Sequence, residues 1–167
     1  MDTFWTSDPL GLVTLIGALL TTSLTAGLGL AFAHSVMPGL STLDGTDYLR
    51  AFQRIDAAIA NPWMGLSFGG SQVLTVAALL LHLRAGGEAL WWLAAALALI
   101  VVTIGITAAV NLPLNAQVQS AAPAFADAAA LRERFERRWT TWNIVRTVTS
   151  VGSVLCLTVA LLASATG

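Results

Sequence analysis

The chain contains no lysine and a single cysteine, and charged residues make up only 10% of its 167 residues. Its arginines and acidic residues leave a net charge of −1, without the basic surface that nucleic-acid binding requires. Because Cys156 is alone, it cannot form an intrachain disulfide, a redox-active thiol pair or a cysteine zinc site. Nucleic-acid binding and cysteine-pair chemistry are therefore excluded.

Apolar residues dominate what remains: 56% of the chain is hydrophobic and the mean hydropathy is +0.76. A helix needs about 20 mostly apolar residues to cross the hydrocarbon core. Four stretches reach that length, at residues 10–33, 63–83, 89–112 and 143–165. The sequence therefore predicts an all-α integral membrane protein in which residues 1–167 form one domain, a four-transmembrane-helix bundle.

Two longer polar segments, residues 38–61 and 116–138, lie between these spans. The first contains a short amphipathic helix with Tyr48 and Phe52 on its apolar face, and the second an extended, arginine-rich helix that leads into the fourth span. Because most arginines lie in these two segments, the positive-inside rule predicts that both are cytoplasmic. We expect both termini outside and a bacterial cytoplasmic membrane as the location.

Prolines are expected to interrupt the helices at two places. Met37-Pro38-Gly39 should end the first helix, and Pro113 should loosen the end of the third. The alanine-rich residues 121–130 are then expected to rebuild a helix ahead of the fourth span.

Arg146 needs an explanation because it lies inside the fourth span. An arginine within a span costs about 2.5–3.5 kcal/mol on insertion scales, so its side chain should face the protein interior and find a partner. One interpretation is structural: an ion pair with Asp56 or Glu136, or a side chain that extends to the interface. The functional one is that the guanidinium neutralises an anionic substrate or oxyanion.

Other polar and aromatic residues should gather at the same end of the bundle as Arg146. As substrate-binding residues we predict Gln53, Asn61, Asn111, Asn115, Trp139 and Asn143. Each amide has a simpler explanation, because such groups also cap helices and join spans by hydrogen bonds worth about 1 kcal/mol. Their convergence with an arginine favours a ligand site, in which Trp139 would form a wall for a flat aromatic ligand.

The catalytic candidates are His34, Asp56 and Arg146, of which the first two are possible bases. Histidine exchanges protons near neutral pH. Asp56 lies at the edge of the amphipathic helix's apolar face, where partial burial makes a carboxylate a better proton acceptor. No metal site is predicted, because His34 and His82 fall at opposite ends of their spans, roughly 30 Å apart.

Several motifs occur together in a characteristic order. They are Ser35-Val36-Met37-Pro38-Gly39-Leu40, Phe52-Gln53-Arg54-Ile55 with Asn61-Pro62, Asn111-Leu112-Pro113-Leu114-Asn115, and Arg134-Phe135-Glu136-Arg137-Arg138-Trp139 with Trp142-Asn143 and Arg146-Thr147. In these the chain resembles the anthrone oxygenase-like integral membrane proteins, a family first defined as a domain of unknown function. Most members are uncharacterised, while a minority act in polyketide pathways.

The resemblance implies a small membrane oxygenase that oxidises an anthrone-like polycyclic phenol to a quinone. Molecular oxygen would be the co-substrate, with no metal or organic cofactor. His34 or Asp56 would be the base, Arg146 with Asn143 and Asn111 would stabilise anions, and Trp139 would stack on the substrate. The expected partners are the lipid bilayer, a hydrophobic aromatic small molecule and, as a homo-oligomer, further copies of the chain. The alternative is a non-catalytic membrane subunit or a protein that binds a hydrophobic small molecule or lipid.

Overall fold

The structure is a computed structural model that describes residues 9–83, 86–121, 125 and 127–166. In this part of the chain there are five helices and no strand: α1 (Pro9–Ser41), α2 (Gly45–Ile59), α3 (Pro62–His82), α4 (Glu88–Ser120) and α5 (Ala128–Thr166). Helices α1, α3, α4 and α5 are long and apolar enough to cross a membrane. The predicted all-α membrane protein with four spans is confirmed.

The four spans pack in chain order around a closed ring. Helix α1 contacts α3, α3 contacts α4, α4 contacts α5, and α5 returns to α1. Gly86 and Gly87 form part of the turn between α3 and α4 at φ 68° and 81°, values that glycine adopts easily. The sequence predicts a tight turn over Arg84–Glu88 here, and Arg84 lies outside the described residues.

The predicted short amphipathic helix, α2, lies across one end of the bundle. The side chain of Asp44 accepts a hydrogen bond from the Asp47 backbone N–H (2.9 Å) and so caps its first turn. Tyr48, Leu49 and Phe52 are buried against the ends of the spans. Because α2 packs on α1, α4 and α5, it covers the bundle at this end.

The predicted helix end at Pro38 is wrong; at Pro113, where we predict a loosened helix end, α4 widens into a π turn before the proline and then continues. Each proline follows a π-helical turn, Phe32–Val36 in α1 and Thr107–Asn111 in α4, and the helix continues beyond it. Proline breaks a regular α-helix because it lacks an N–H and its ring clashes with the preceding turn. The wider turn relieves this conflict by shifting the bonding pattern, so that the Met37 N–H bonds to the Phe32 carbonyl, five residues back.

A third π-helical turn interrupts α3. The complete bounds are Pro9–Ala31, Phe32–Val36 and Met37–Ser41 in α1; Pro62–Met64, Gly65–Gly69 and Gly70–His82 in α3; and Glu88–Ile106, Thr107–Asn111 and Leu112–Ser120 in α4, the middle piece being the π turn in each case.

The connection between α4 and α5 also differs from the prediction. The described residues 121, 125 and 127 are not helical, and α5 begins only at Ala128. Phe125 is buried at φ 36°, a backbone conformation that residues other than glycine rarely adopt, so its packing must hold it there. From Ala128 the arginine-rich segment and the fourth span form one continuous helix, as predicted.

Two hydrophobic cores occupy opposite ends of the bundle. The aromatic cluster, at the α2 end, contains Phe32, Tyr48, Phe52, Phe125, Phe135 and Trp139, together with Met37, Leu40, Leu49, Leu114 and Val118. The aliphatic cluster, at the other end, contains Leu15, Ala18, Ala78, Leu93, Ala96, Leu157 and Ala160. The candidate site lies beside the aromatic cluster.

Candidate functional site

A cavity of about 140 Å³ opens next to the aromatic cluster, and all five helices contribute to its wall. The lining residues are Thr25, Leu28, Gly29, Phe32, Phe52, Asp56, Ile59, Met64, Phe68, Thr103, Thr107, Leu112, Asn115, Trp139, Arg146, Thr147 and Ser150. Each of the three π turns supplies one of them: Phe32, Phe68 and Thr107. Such turns often occur at functional sites, and apolar walls with few polar groups are typical of ligand pockets.

Arg146 brings a positive charge to this wall. Its Nε and Nη2 donate to the Asn143 Oδ1 at 3.1 and 3.0 Å, and its Nη1 reaches the Thr107 Oγ1 at 3.5 Å. Among the described residues no carboxylate lies within ion-pair distance of it. Glu136 pairs instead with Arg132 at 2.7 Å, and Asp56 is bound by amides, so neither ion pair considered from the sequence forms.

Asn143 holds the guanidinium from behind the wall. Its side chain is fully buried; the Nδ2 donates to the Gly29 carbonyl at 3.0 Å, while the Oδ1 accepts both bonds from Arg146. A Cβ at Gly29 would lie 2.6 Å from the Thr147 Oγ1, so only glycine lets α1 approach α5 this closely. The position of Arg146 therefore depends on close packing between the first and fourth spans.

Trp139 forms the aromatic part of the wall, and its ring is fixed from several sides. The guanidinium carbon of Arg146 lies 5.5 Å from the ring centroid, within cation–π range. Phe32 and Phe52 pack against the ring at centroid distances of 5.5 and 5.3 Å. The indole Nε1 donates to the Asn115 Oδ1 at 2.7 Å, which fixes the ring's rotation.

Asp56 provides the only carboxylate among the lining residues that the structure describes. Its Oδ1 accepts from the Asn115 Nδ2 at 2.6 Å, and its Oδ2 from the Gln119 Nε2 at 2.8 Å. Because Asn115 also accepts from Trp139, a hydrogen-bonded chain runs from the indole to the carboxylate. Arg146 and Asp56 thus face one cavity from α5 and α2.

Gln119 and Gln53 attach α2 to α4 beside this carboxylate. Gln119 Nε2 donates to the Gln53 carbonyl at 3.2 Å, and Gln53 Nε2 to the Gln119 carbonyl at 3.4 Å. Sequence reasoning missed Gln119, although it follows Asn115 by four residues and so shares its helix face. It also missed the phenylalanines and the hydroxyl groups that line the cavity together with Trp139, for which periodicity gives no signal.

Two of the predicted site residues lie away from the cavity. His34 is exposed and its ring bonds to the neighbouring Ser35 hydroxyl. Asn61 is also exposed; its side chain accepts from the Met64 N–H at 3.1 Å and donates to the Ala58 carbonyl at 2.8 Å. This is the helix-capping arrangement that we gave as the simpler explanation for the amides.

Asn111 lies behind the wall, unlike Asn115. It is buried and its Nδ2 is 3.5 Å from the Trp139 carbonyl, while its Oδ1 has no partner in the described part of the chain. On α5 the inward face continues from Trp139 to Asn143, and Trp142 is 36% exposed on the outer side. The structure thus gathers Asp56, Asn115, Trp139 and Arg146 around the cavity.

A second charged group, Arg132, packs on the aromatic cluster at the α2 end of the bundle. Arg132 lies 4.5 Å above the Tyr48 ring and donates to the Ser41 carbonyl at 2.8 Å. The Tyr48 hydroxyl is buried without a described hydrogen-bond partner. Burial, and next the Glu136 carboxylate, raise the pKa of Tyr48 well above its usual value, while Arg132 acts in the opposite direction.

No three histidine, cysteine or acidic side chains in the described ranges gather as a metal-binding group. His82 lies at the end of the bundle opposite His34, where its Nδ1 is 2.7 Å from the Ala78 carbonyl. Whether the protein uses a metal stays a prediction that only chemical analysis tests.

Comparisons with known proteins agree with the resemblance in the motifs. A family model described as anthrone oxygenase matches residues 62–156, more than half of the chain. The match includes Asn115, Trp139 and Arg146, whereas α1 and Asp56 precede it. No curated protein and no solved structure matched the chain. By its family match, this chain belongs to the anthrone oxygenase family.

Proposed function

We propose that this protein is an integral membrane oxygenase that oxidises an anthrone-like polycyclic phenol to a quinone with molecular oxygen. It would need no metal or organic cofactor. One observation carries the proposal: Arg146, a cation without a described acidic partner inside a span, faces an aromatic-walled cavity that also contains Asp56. Intramembrane charges are costly and usually functional, so an unneutralised arginine favours an anionic ligand.

A flat, ionisable aromatic molecule suits this cavity. Its volume of about 140 Å³ is close to that of the roughly 150 Å³ engineered cavity that binds benzene. We therefore expect the reacting ring edge of an anthrone to occupy the cavity, while the remaining rings extend toward its opening. Trp139 is only 2% exposed, so it would shape the aromatic wall beside such a ring more than stack on it, and Arg146 lies next to the same wall.

Asp56 is our proposed base. Asn115 and Gln119 each bond one carboxylate oxygen, and each oxygen keeps a further lone pair for a proton. The other candidate, His34, is exposed and lies outside the cavity wall. Removal of a proton from the anthrone methylene leaves a carbanion delocalised over the ring system.

Arg146 is our proposed anion stabiliser. The carbanion passes one electron to oxygen, and the resulting radical and superoxide combine to form a carbon–oxygen bond. Loss of the second methylene proton and cleavage of the peroxide bond then yield the quinone and water, so each turnover consumes one oxygen molecule. A fixed guanidinium favours both the carbanion and the peroxide in a low-dielectric site.

We extend the proposal to the protein's setting. Residues 38–61 and 116–138 would face the cytoplasm of a bacterial cell, with the termini outside, supported by the concentration of arginines there. The lipid bilayer would be one partner and a second copy of the chain another. Accessibility of single cysteines in whole cells tests the orientation, and crosslinking in native membranes tests self-association.

The decisive experiment incubates the purified protein in lipid nanodiscs with a panel of anthrones in air. We expect quinone absorbance to rise faster than in empty nanodiscs, with one oxygen consumed per quinone and no stoichiometric metal by mass spectrometry. Binding of anthrone without turnover would favour the alternative, a non-catalytic small-molecule or lipid binder. A stoichiometric metal would overturn the cofactor-free mechanism.

A further inference from the structure

One flank of the cavity faces outward between the start of α3 and the end of α4. Met64 and Phe68 line it from α3, and Thr107 and Leu112 from α4. Although Leu112 lines the cavity, its side chain is 56% exposed. A residue that touches both the cavity and the outside marks a place where the wall is one side chain thick.

Packing of α3 changes along its length. An added Cβ at Gly70 would lie 3.0 Å from Thr21 of α1, so this part of α3 is packed closely. At Gly65 and Gly69, within the π turn, an added Cβ would meet nothing within 4 Å. The contacts between spans α3 and α4 are made by Gly70–His82 and Glu88–Ile106. These segments run from the cavity toward the end of the bundle opposite α2. The first turns of α3 therefore pack on α1 but make little contact with α4.

On its water-facing side, the cavity is covered instead. Helix α2 packs on α1, α4 and α5 and places Phe52, Asp56 and Ile59 over the cavity. Beside the open flank, Trp63 is 79% exposed and Leu66 is also exposed. Exposed tryptophans are typical of the membrane–water interface. The route with least protein in its way therefore leads to the acyl-chain edge of the bilayer.

We propose that the substrate reaches the cavity laterally from the lipid, between α3 and α4, close to the membrane surface on the α2 side. This inference rests on the proposed oxygenase function and specifies its substrate class: a membrane-dissolved, uncharged or singly ionised polycyclic phenol. Water-soluble conjugates of the same ring system, such as glycosides, are not substrates because they do not partition into the acyl region.

The first test uses larger side chains to narrow the opening between α3 and α4. Leu112→Trp and Met64→Trp should lower kcat/KM for a membrane-dissolved anthrone at least 10-fold while kcat at saturation changes much less, since access and not chemistry is hindered. Leu80→Trp is the matched control, because Leu80 is about as exposed on α3 but lies at the other end of the bundle. We expect it to stay within twofold of the parent protein. Equal kcat/KM in all variants would overturn the lateral route.

The second test needs no turnover. In a Cys156→Ser background in nanodiscs, Leu112→Cys should react with lipid-soluble N-phenylmaleimide and resist a charged, membrane-impermeant maleimide, and anthraquinone should slow the reaction. Arg54→Cys, on the exposed face of α2, should react with the charged reagent. If the charged reagent modifies both positions equally fast, the flank opens to water and the inference fails. The predicted labelling without any anthrone oxidation would overturn the oxygenase proposal and leave the route intact.

Discussion

The two ends of the bundle satisfy their polar side chains differently. Toward the aliphatic cluster, the hydroxyls of Thr14 and Thr158 bond back to carbonyls of their own helices, and only hydroxyls, those of Ser153 and Ser164, reach groups on neighbouring spans among the hydrogen bonds described there. Toward α2, amides bond between helices, as from Asn115 to Asp56 or from Asn143 to the Gly29 carbonyl. Hydroxyls bonded within one helix fit into lipid at little cost, whereas bonds between helices fix where side chains point. Geometry is thus specified most fully at the α2 end, where Asn115 joins Asp56 and Trp139 from two other helices.

The two ends also differ in shape. The aliphatic cluster is built from leucine and alanine on regular α-helix, and small side chains let the spans approach closely. The cavity end carries the aromatic rings and all three π turns of the described ranges. Wide turns and large rings do not interdigitate as leucine and alanine do, so a gap remains. Departure from regular packing therefore coincides with the proposed site.

The largest effect that separates the two ends should come from Asp56→Asn. Asparagine keeps the size of the side chain but removes the proton acceptor, so we expect kcat for anthrone oxidation to fall about 10²–10⁴-fold. Asp47→Asn, on the exposed face of the same helix, should leave kcat unchanged. Steady-state quinone absorbance measures both. Unchanged kcat in Asp56→Asn would exclude Asp56 as the base and make His34→Gln the next variant to assay.

A substitution at the other end of the bundle should lower stability and leave activity unchanged. Leu157 is fully buried in the aliphatic cluster, so Leu157→Ala should lower the free energy of unfolding by about 2–5 kcal/mol through the cavity it leaves. Because the site lies elsewhere, kcat/KM at a permissive temperature should stay within twofold. Thermal melting and the oxidation assay, run side by side, check this. A loss of turnover without a loss of stability would show that the ends are coupled.

Asn143→Asp tests whether the site needs a free positive charge. An aspartate here keeps an acceptor for Arg146 and neutralises the guanidinium, but it loses the donor to the Gly29 carbonyl, so we expect kcat/KM to fall about 10–100-fold and the melting temperature to fall as well. Asn143→Ser, which removes the contact without adding charge, is the comparison. Equal activity of the aspartate variant and the parent protein would mean that Arg146 serves packing alone.

The smallest expected effect concerns the Tyr48 hydroxyl. Tyr48→Phe removes a buried group without a described partner, so we expect a slight rise in melting temperature. Burial raises the pKa of Tyr48 in the folded protein. Below the ordinary tyrosine pKa of about 10, the side chain is neutral in both the folded and the unfolded state, and the stability that depends on its neutral form is fully present. That contribution is lost as pH rises toward the folded pKa. Between pH 8 and pH 11, the melting temperature should therefore fall more steeply with rising pH in the parent protein than in Tyr48→Phe.

Much of the fold follows from local sequence patterns. Span lengths and the amphipathic face of α2 depend on residues close in the chain, and both expectations are confirmed. The inward position of Trp139 and the back-bonding of Thr149 to the Arg146 carbonyl (2.9 Å) also follow from helical spacing. Such features need no knowledge of which helix packs where.

Features that depend on tertiary packing were harder to predict. Pro38 and Pro113 end a helix by local rules, yet the π turns before them let α1 and α4 continue. The same applies to polar partners: spacing alone does not reveal that Gln119 joins Asn115 at the Asp56 carboxylate. His34 and Asn61 were grouped with the site by topology, which specifies the end of the bundle but not the direction of a side chain.

The central claim is that Arg146 anchors an anion in the cavity. Its most direct test is the rate of anthrone oxidation by Arg146→Ala in nanodiscs, with Arg54→Ala on the exposed face of α2 as the control. We predict that Arg146→Ala inserts and melts as the parent protein does, yet oxidises anthrone at least about 100-fold more slowly. Oxidation at the parent rate, or a protein that no longer folds, would contradict this account and leave Arg146 a structural residue.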